Sequence, residues 1–251
     1  MSKSIVKIII FSLITLLLIS CNKAPQGINC KDKDDIKSVP EKMPRFVAIA
    51  LGSAKAAYSE DGIKWFETRM PRNDDWRTVC YGNGRFVAVV TVTKSNKAAY
   101  SEDGIKWFET TLPTIESWGN VCYGNDKFVA ISASNKAAYS IDGINWESTT
   151  MPVKHERAIW GSVCYGNGKF LAVATGSDSD RKAAYSLDGI SWESTAMPER
   201  ASWESVCYGK GQFVTVTYIR DKAAYSADGI TWGIATLPSS GLWVSICYGG
   251  E

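Results

Sequence analysis

From Arg45 onward the chain alternates short apolar runs with turns rich in Gly, Asn and Asp, and the alternation recurs. The unit is K-A-A-Y-S-x-D-G-I-x-W, at Lys55–Trp65, Lys97–Trp107, Lys136–Trp146, Lys182–Trp192 and Lys222–Trp232. A second phrase, W-x-x-[VI]-C-Y-G, separates the copies at Trp76–Gly82, Trp118–Gly124, Trp160–Gly166, Trp203–Gly209 and Trp243–Gly249. In the repeat with the plainest pattern, Thr78–Tyr81, Phe86–Val90, Ala98–Ser101 and Lys106–Thr110 have strand character. The first pair is joined through Asn83-Gly84, a hairpin signal because both turn residues take positive φ. The second pair is joined through Asp103-Gly104, where Gly again supplies positive φ and Asp bonds nearby amides. Pro71, Pro113, Pro152, Pro198 and Pro238 follow the fourth runs and are expected to end pairing, because Pro has no N–H to donate. No segment carries a sustained helical period.

Four antiparallel strands per repeat of about 40 residues is the unit of a β-propeller blade. The first repeat starts at Arg45-Phe46-Val47-Ala48-Ile49 without its W-x-x-V-C-Y-G strand, and one unpartnered copy of that strand, Val244–Tyr248, stands last. An all-β propeller of five four-stranded blades is therefore expected over 45–251, with 244–248 completing the first blade and leaving no open edge.

The chain before Arg45 reads differently. Lys3 and Lys7 precede an apolar run, Ile8–Leu18, that is short for a membrane span of about 20 residues. It ends in Leu18-Ile19-Ser20-Cys21, which resembles the lipobox of bacterial lipoproteins. That resemblance implies a signal peptide over 1–20, cleavage before Cys21 and lipid on its thiol, with an extracytoplasmic address. Asn22 after the Cys further resembles outer-membrane sorting in hosts with two membranes. Acyl chains contribute roughly 0.8 kcal/mol per buried methylene, enough for several to hold a protein on a membrane. Residues 21–44, polar and carrying scattered Pro, read as a flexible tether.

Charge and cysteine narrow the chemistry. The chain carries 28 basic and 26 acidic residues, so no clustered basic surface for nucleic acid is expected. A single His, His155, leaves little for His-based metal sites or triads. Cys80, Cys122, Cys164, Cys207 and Cys247 occupy one position of the repeat. Equivalent positions on stacked sheets lie about 10 Å apart, beyond disulfide reach, so these residues read as small buried hydrophobes. No metal or cofactor is expected.

The five hairpins resemble Asp-box (BNR) repeats, S-x-D-x-G-x-x-W, of sialidase-type propellers and their non-enzymatic relatives. The matching residues are Ser59, Asp61 and Trp65; Ser101, Asp103 and Trp107; Ser140, Asp142 and Trp146; Ser186, Asp188 and Trp192; and Ser226, Asp228 and Trp232. Here Gly follows Asp directly, so the turn is one residue shorter than the family's. The resemblance implies a structural role for these residues, Ser and Asp tying the turn and Trp packing under it, on the face opposite a sialidase-type active site. It does not extend to the sialidase catalytic set: ten of the eleven Tyr are repeat residues, only Tyr218 stands outside them, and no Arg sits in an F-R-I-P context. A glycosidase needs two suitably spaced carboxylates, and Asp74, Asp75, Glu116, Glu199 and Glu204 offer candidates. A binding module is the main expectation, lectin-like or protein-binding, and a sialidase-like glycoside hydrolase the alternative.

Loop length locates the expected site on the face away from the Asp boxes. Trp65 to Trp76, Trp107 to Trp118, Trp192 to Trp203 and Trp232 to Trp243 are each eleven apart, but Trp146 to Trp160 is fourteen. The long connection 174–182 belongs to the same repeat, and length beyond what a fold needs is often functional. His155, Glu156, Arg157, Trp160, Asp178, Asp180 and Arg181 are therefore the candidate ligand residues. Trp160 is the expected stacking platform, and Arg157 and Arg181 favour an acidic group. The expected partners are a membrane through the lipid anchor and a glycan or surface protein, bound by a monomer.

Overall fold

The structure is a computed structural model and describes residues 45–91, 94–152, 159–176 and 182–249. Among them lie nineteen strands in five antiparallel sheets. The first sheet holds β1 (Phe46–Ile49), β2 (Ser53–Ser59) and β3 (Phe66–Asp74). The second holds β4 (Trp76–Gly82), β5 (Arg85–Val90), β6 (Ser95–Ser101) and β7 (Phe108–Glu116). The third holds β8 (Trp118–Gly124), β9 (Lys127–Ser132), β10 (Lys136–Ser140) and β11 (Glu147–Thr150). The fourth holds β12 (Ile159–Gly166), β13 (Lys169–Thr175), β14 (Lys182–Ser186) and β15 (Glu193–Ala196). The fifth holds β16 (Trp203–Gly209), β17 (Gln212–Thr217), β18 (Lys222–Ser226) and β19 (Gly233–Thr236). In every sheet the strands pair in chain order.

Local sequence explains the strands. Asn83 and Gly84 take φ of 44° and 74°, the geometry that lets a two-residue turn follow the twist of β4 and β5. Just after each leading Trp the register shifts, between Trp76 and Thr78, Trp118 and Asn120, Trp160 and Ser162, and Trp203 and Ser205. Such a bulge re-aims side chains, and these four Trp are 0–2% exposed. Two expectations about the fourth strand change. It begins after the Asp-box Trp rather than at Lys106, because that Trp turns aside to pack. Pro71 and Pro113 do not end β3 and β7: pairing resumes beyond them at Ser53↔Asp74 and Ser95↔Glu116. These are the outermost strands of their sheets, where a missing N–H costs no ladder bond.

The core lies between sheets. Between the third and fourth, Val129, Ile131, Met151, Val163 and Phe170 form one cluster, with Trp192 packed against it. Val87, Val89, Trp118, Val121 and Phe128 fill the equivalent space one sheet earlier. Glycine makes the close stacking possible: a Cβ on Gly124 would lie 2.1 Å from Cγ of Tyr165. The first sheet lacks its fourth strand. Residues 240–249 form no strand, and the expected pairing of Val244–Tyr248 with β1 is not among the described pairs.

Candidate binding face

The two ends of the sheets differ in character. One carries both tight turns of each repeat, and there the Asp-box residues tie the backbone. Ser140 Oγ donates to Asp142 Oδ1 (3.0 Å) and accepts from Gly143 N (2.8 Å). Asp142 Oδ1 also accepts from Ile144 N (2.9 Å) and Asn145 N (2.8 Å). The same bonds recur around Asp61, Asp103, Asp188 and Asp228. Backbone N–H groups of Thr231 and Ile230 lower the Asp228 pKa to about 2. At Asp142 partial burial pulls upward, but the N–H groups of Asn145 and Ile144 outweigh it and the value also falls to about 2. These carboxylates are saturated with internal donors, the arrangement of a structural turn.

The Asp-box Trp residues pack less against their own turns than against the preceding sheet. Trp107 is 7% exposed in a cluster with Ala56 and Met70 of the first sheet, whereas Trp65 bonds its own turn through Gly62 O (3.2 Å) and is 45% exposed. Arg45 stands at this same end, donating to Asp103 O (2.9 Å) and pairing with Glu60 (3.2 Å).

The opposite end carries the remaining described connections and, of the sequence candidates, Trp160. His155, Glu156, Arg157, Asp178, Asp180 and Arg181 lie outside the described residues. Trp160 is described, and it is not an exposed platform: it is 2% exposed within the cluster of Val129, Met151 and Phe170. Trp76, Trp118 and Trp203 are equally buried. Trp76 Nε1 donates to Arg72 O (3.0 Å) and Trp118 Nε1 to Thr114 O (3.3 Å). The bulge that follows each Trp accounts for the inward turn.

Some charges on this face are internally matched. Arg72 pairs with Asp74 (3.1 Å) and approaches Glu109 (3.9 Å), which also meets Lys97 (2.5 Å). A polar cluster that the repeat does not encode flanks the connection 177–181. Glu204 Oε2 accepts from Thr175 Oγ1 (2.6 Å), Thr175 Oγ1 lies 2.8 Å from Ser202 Oγ, and Gly176 N donates to Ser202 Oγ (3.0 Å). The same face exposes large aliphatic side chains: Leu51 (57%), Ile115 (64%), Ile159 (45%), Ile219 (65%) and Leu242 (65%). Sequence reasoning passed over them, since a solitary aliphatic in a loop gives no periodic signal.

The enclosed repeat cysteines offer no reactive thiol, whereas Cys247 is exposed. Burial pushes the Cys80 thiol up to about 12 and that of Cys122 well above its ordinary range, so both stay protonated at neutral pH. Among the described residues no three His, Cys, Asp or Glu side chains gather in a way that could hold a metal ion.

Repeated antiparallel sheets packed in series, with no helix among the described residues, define a β-propeller-like fold. No family model and no curated protein matches the chain. Solved structures do. A streptogramin B lyase is similar with TM-score 0.65 and 13% identity, over 75% of this chain and 64% of that one. Virginiamycin B lyase from Staphylococcus aureus gives 0.67 and 15%, over 79% and 69%. YCF48 bound to D1 peptide gives 0.55 and 13%, over 74% and 62%. The chain thus spans less than two thirds of the first of these, and likeness at such identities establishes fold alone.

Proposed function

We propose that this chain is a lipid-anchored, extracytoplasmic protein-binding module, a five-bladed propeller of Asp-box type that uses the loop face away from its Asp-box turns. The observation that carries the reading is the pairing of buried Trp with exposed aliphatics on that face. Glycan recognition relies on exposed aromatic rings with polar neighbours, and four of the five leading Trp are inside, with Trp243 half-buried. Leu51, Ile115, Ile159, Ile219 and Leu242 stand outside instead, the apolar content a protein partner can cover. Glu204 with Ser202 and Thr175 supplies an adjacent polar anchor, beside the connection that contains Asp178, Asp180 and Arg181. With His155, Glu156, Arg157 and Trp160 these make up the proposed sector. A structural neighbour described in complex with a peptide is consistent with such use of the fold.

The test uses the full chain expressed in a bacterium, with Cys21→Ser to check the anchor by lipid labelling and fractionation. The soluble chain is then screened in parallel on a peptide-display library and a glycan array. Selected peptides should lose at least tenfold in affinity to Ile219→Asp and to Glu204→Gln, both folded, and little to Lys64→Ala on the other face. Binding confined to the glycan array and untouched by Ile219→Asp would overturn the reading.

A further inference from the structure

The same contacts tie each sheet to the next, so a missing link can be identified by position. Tyr123 covers Gly82, Tyr165 covers Gly124, Tyr208 covers Gly166 and Tyr248 covers Gly209. One Tyr and one Gly are left over. Tyr81 is 55% exposed, and Gly249 has nothing within 4 Å of its would-be Cβ. A second series runs through the Asp-box glycines. Gly104 meets Val47, Gly143 meets Val87, Gly189 meets Val129 and Gly229 meets Leu171, each on the preceding sheet. Gly62 meets only Phe46 of its own sheet, and Val214, the residue it would cover, is only half-buried. Both series lack the link between the fifth sheet and the first.

Residues 243–249 already hold half of a first strand's contacts. Besides Tyr248 on Gly209, Ile246 N donates to Ser205 Oγ (3.2 Å), as Val206 N donates to Ser162 Oγ (3.2 Å). Their other side is unused: Val244 is 63% and Tyr248 46% exposed, opposite a β1 whose Phe46 is 56% exposed. We propose that Trp243–Gly249 is a closing strand that pairs with β1, and that the seam it forms is the one place where the ring opens. The inference rests on the five-bladed reading above but not on any ligand, so a chain that closes and binds nothing separates the two.

The register follows from the second sheet, where Tyr81 faces Phe86, Cys80 faces Val87 and Val79 faces Ala88. By equivalence Tyr248 faces Phe46, Cys247 faces Val47 and Ile246 faces Ala48. Closure also sets Gly249 against Tyr81. The seam's side-chain ties are fewer than elsewhere. Thr68, Thr110, Thr149 and Thr195 each donate to an Ile carbonyl of the next sheet. The fifth sheet has Ala235 there, which donates nothing. Arg45, Arg85 and Lys169 each donate to the Asp-box Asp carbonyl of the next sheet, and the fifth sheet offers neutral Gln212. Asn83, Asn125 and Asn167 donate to the backbone of the following Asp box. The fifth sheet has Lys210, which closure brings to Glu60. An ion pair between exposed side chains is a weaker and salt-screened tie.

Directly opposed residues of an antiparallel pair place their Cβ atoms about 4.5–5.5 Å apart, so small adjustments permit a disulfide. The experiment is Val47→Cys in the full chain, oxidised at low protein concentration and read by non-reducing gel and peptide mapping. A bond between the new thiol and Cys247 within one chain is expected, lost on Cys247→Ser. Bonds only between chains, or none, overturn closure. If Val47→Cys fails to fold, Gly249→Ala decides: closure makes it as damaging as Gly124→Ala, and a neutral effect overturns the proposal. For the weak seam, Cys247 in the unmodified chain should react with a thiol reagent at least tenfold faster than Cys122, and faster still at high salt. Equal rates overturn the opening.

Discussion

Gly124→Ala tests whether sheet stacking rests on the Tyr–Gly contact. The added Cβ would sit 2.1 Å from Tyr165 Cγ and 2.5 Å from its Cβ. Carbon atoms approach favourably at about 3.5–4.0 Å, so the ring must withdraw by well over an ångström. It has little room, because Tyr165 packs on Phe170 with centroids 4.8 Å apart, and Phe170 is fully buried. Overpacking of this kind costs about 1–3 kcal/mol, and the clash with the root of a side chain argues for the upper end. Gly124 does not have positive φ, so Ala fits the backbone and recovers about 0.4–1 kcal/mol through the unfolded chain. The expected net loss is about 2 kcal/mol. For a domain of this size that lowers Tm by about 4–8 °C. Urea unfolding followed by Trp fluorescence should show the midpoint fall with the slope unchanged. Tyr165→Ala removes the obstruction, so adding Gly124→Ala to it should cost almost nothing, a coupling of at least about 1 kcal/mol. A single Gly124→Ala within about 0.5 kcal/mol of the parent, or an equal cost in both backgrounds, would refute the contact.

Two other expectations follow from the fold. Trp160→Ala empties a fully enclosed site and should cost about 3–5 kcal/mol, read by chemical denaturation; a stable variant that merely lost ligand affinity would restore the stacking-platform role. The Asp-box carboxylates, held below their ordinary pKa, contribute stability that is present above about pH 4 and lost as pH falls toward 2. Thermal melts across that window should therefore drop, and Asp228→Asn should flatten the drop; an identical profile in the variant would mean other groups govern it.

The strands were legible because each is encoded within a few residues. Asn83-Gly84 demands its turn, and Phe86–Val90 reads as a strand whatever surrounds it. What the sequence left open depends on a neighbouring sheet. Trp107 leaves its own strand to reach Met70 and Ala56, and Thr110 bonds Ile144 O, 34 residues away; neither is visible inside one repeat. Pro113 was misleading for the same reason, since only its place on an outer strand makes its missing donor harmless. The candidate site was legible as extra length between Trp146 and Trp160. Length alone says nothing about where side chains point, and the register shift that turns Trp160 inward leaves no mark in composition.

The repeat also sorts the exposed apolar residues into two kinds. Trp65 is 45% exposed although its equivalent Trp107 is 7% exposed, and Ile63 is 86% exposed whereas Ile105, Ile144 and Ile190 are half-buried. A closed seam would cover Trp65 and Ile63, whereas Ile141 (65%) and Leu187 (62%) are exposed on Asp-box turns of sheets that already have neighbours on both sides. Ile115, Ile159, Ile219 and Leu242 have no such explanation. They fall outside the two recurring phrases, at strand ends or in connections on one face, and closing the seam supplies no repeat partner for Ile115 or Ile159. Burial by the protein's own fold can thus account for Trp65 and Ile63 but not for the exposed aliphatics found at both ends of the sheets. The Trp65 edge is thus the edge that closing the proposed seam would bury, and a Trp65→Ala variant should lose stability only if the seam closes.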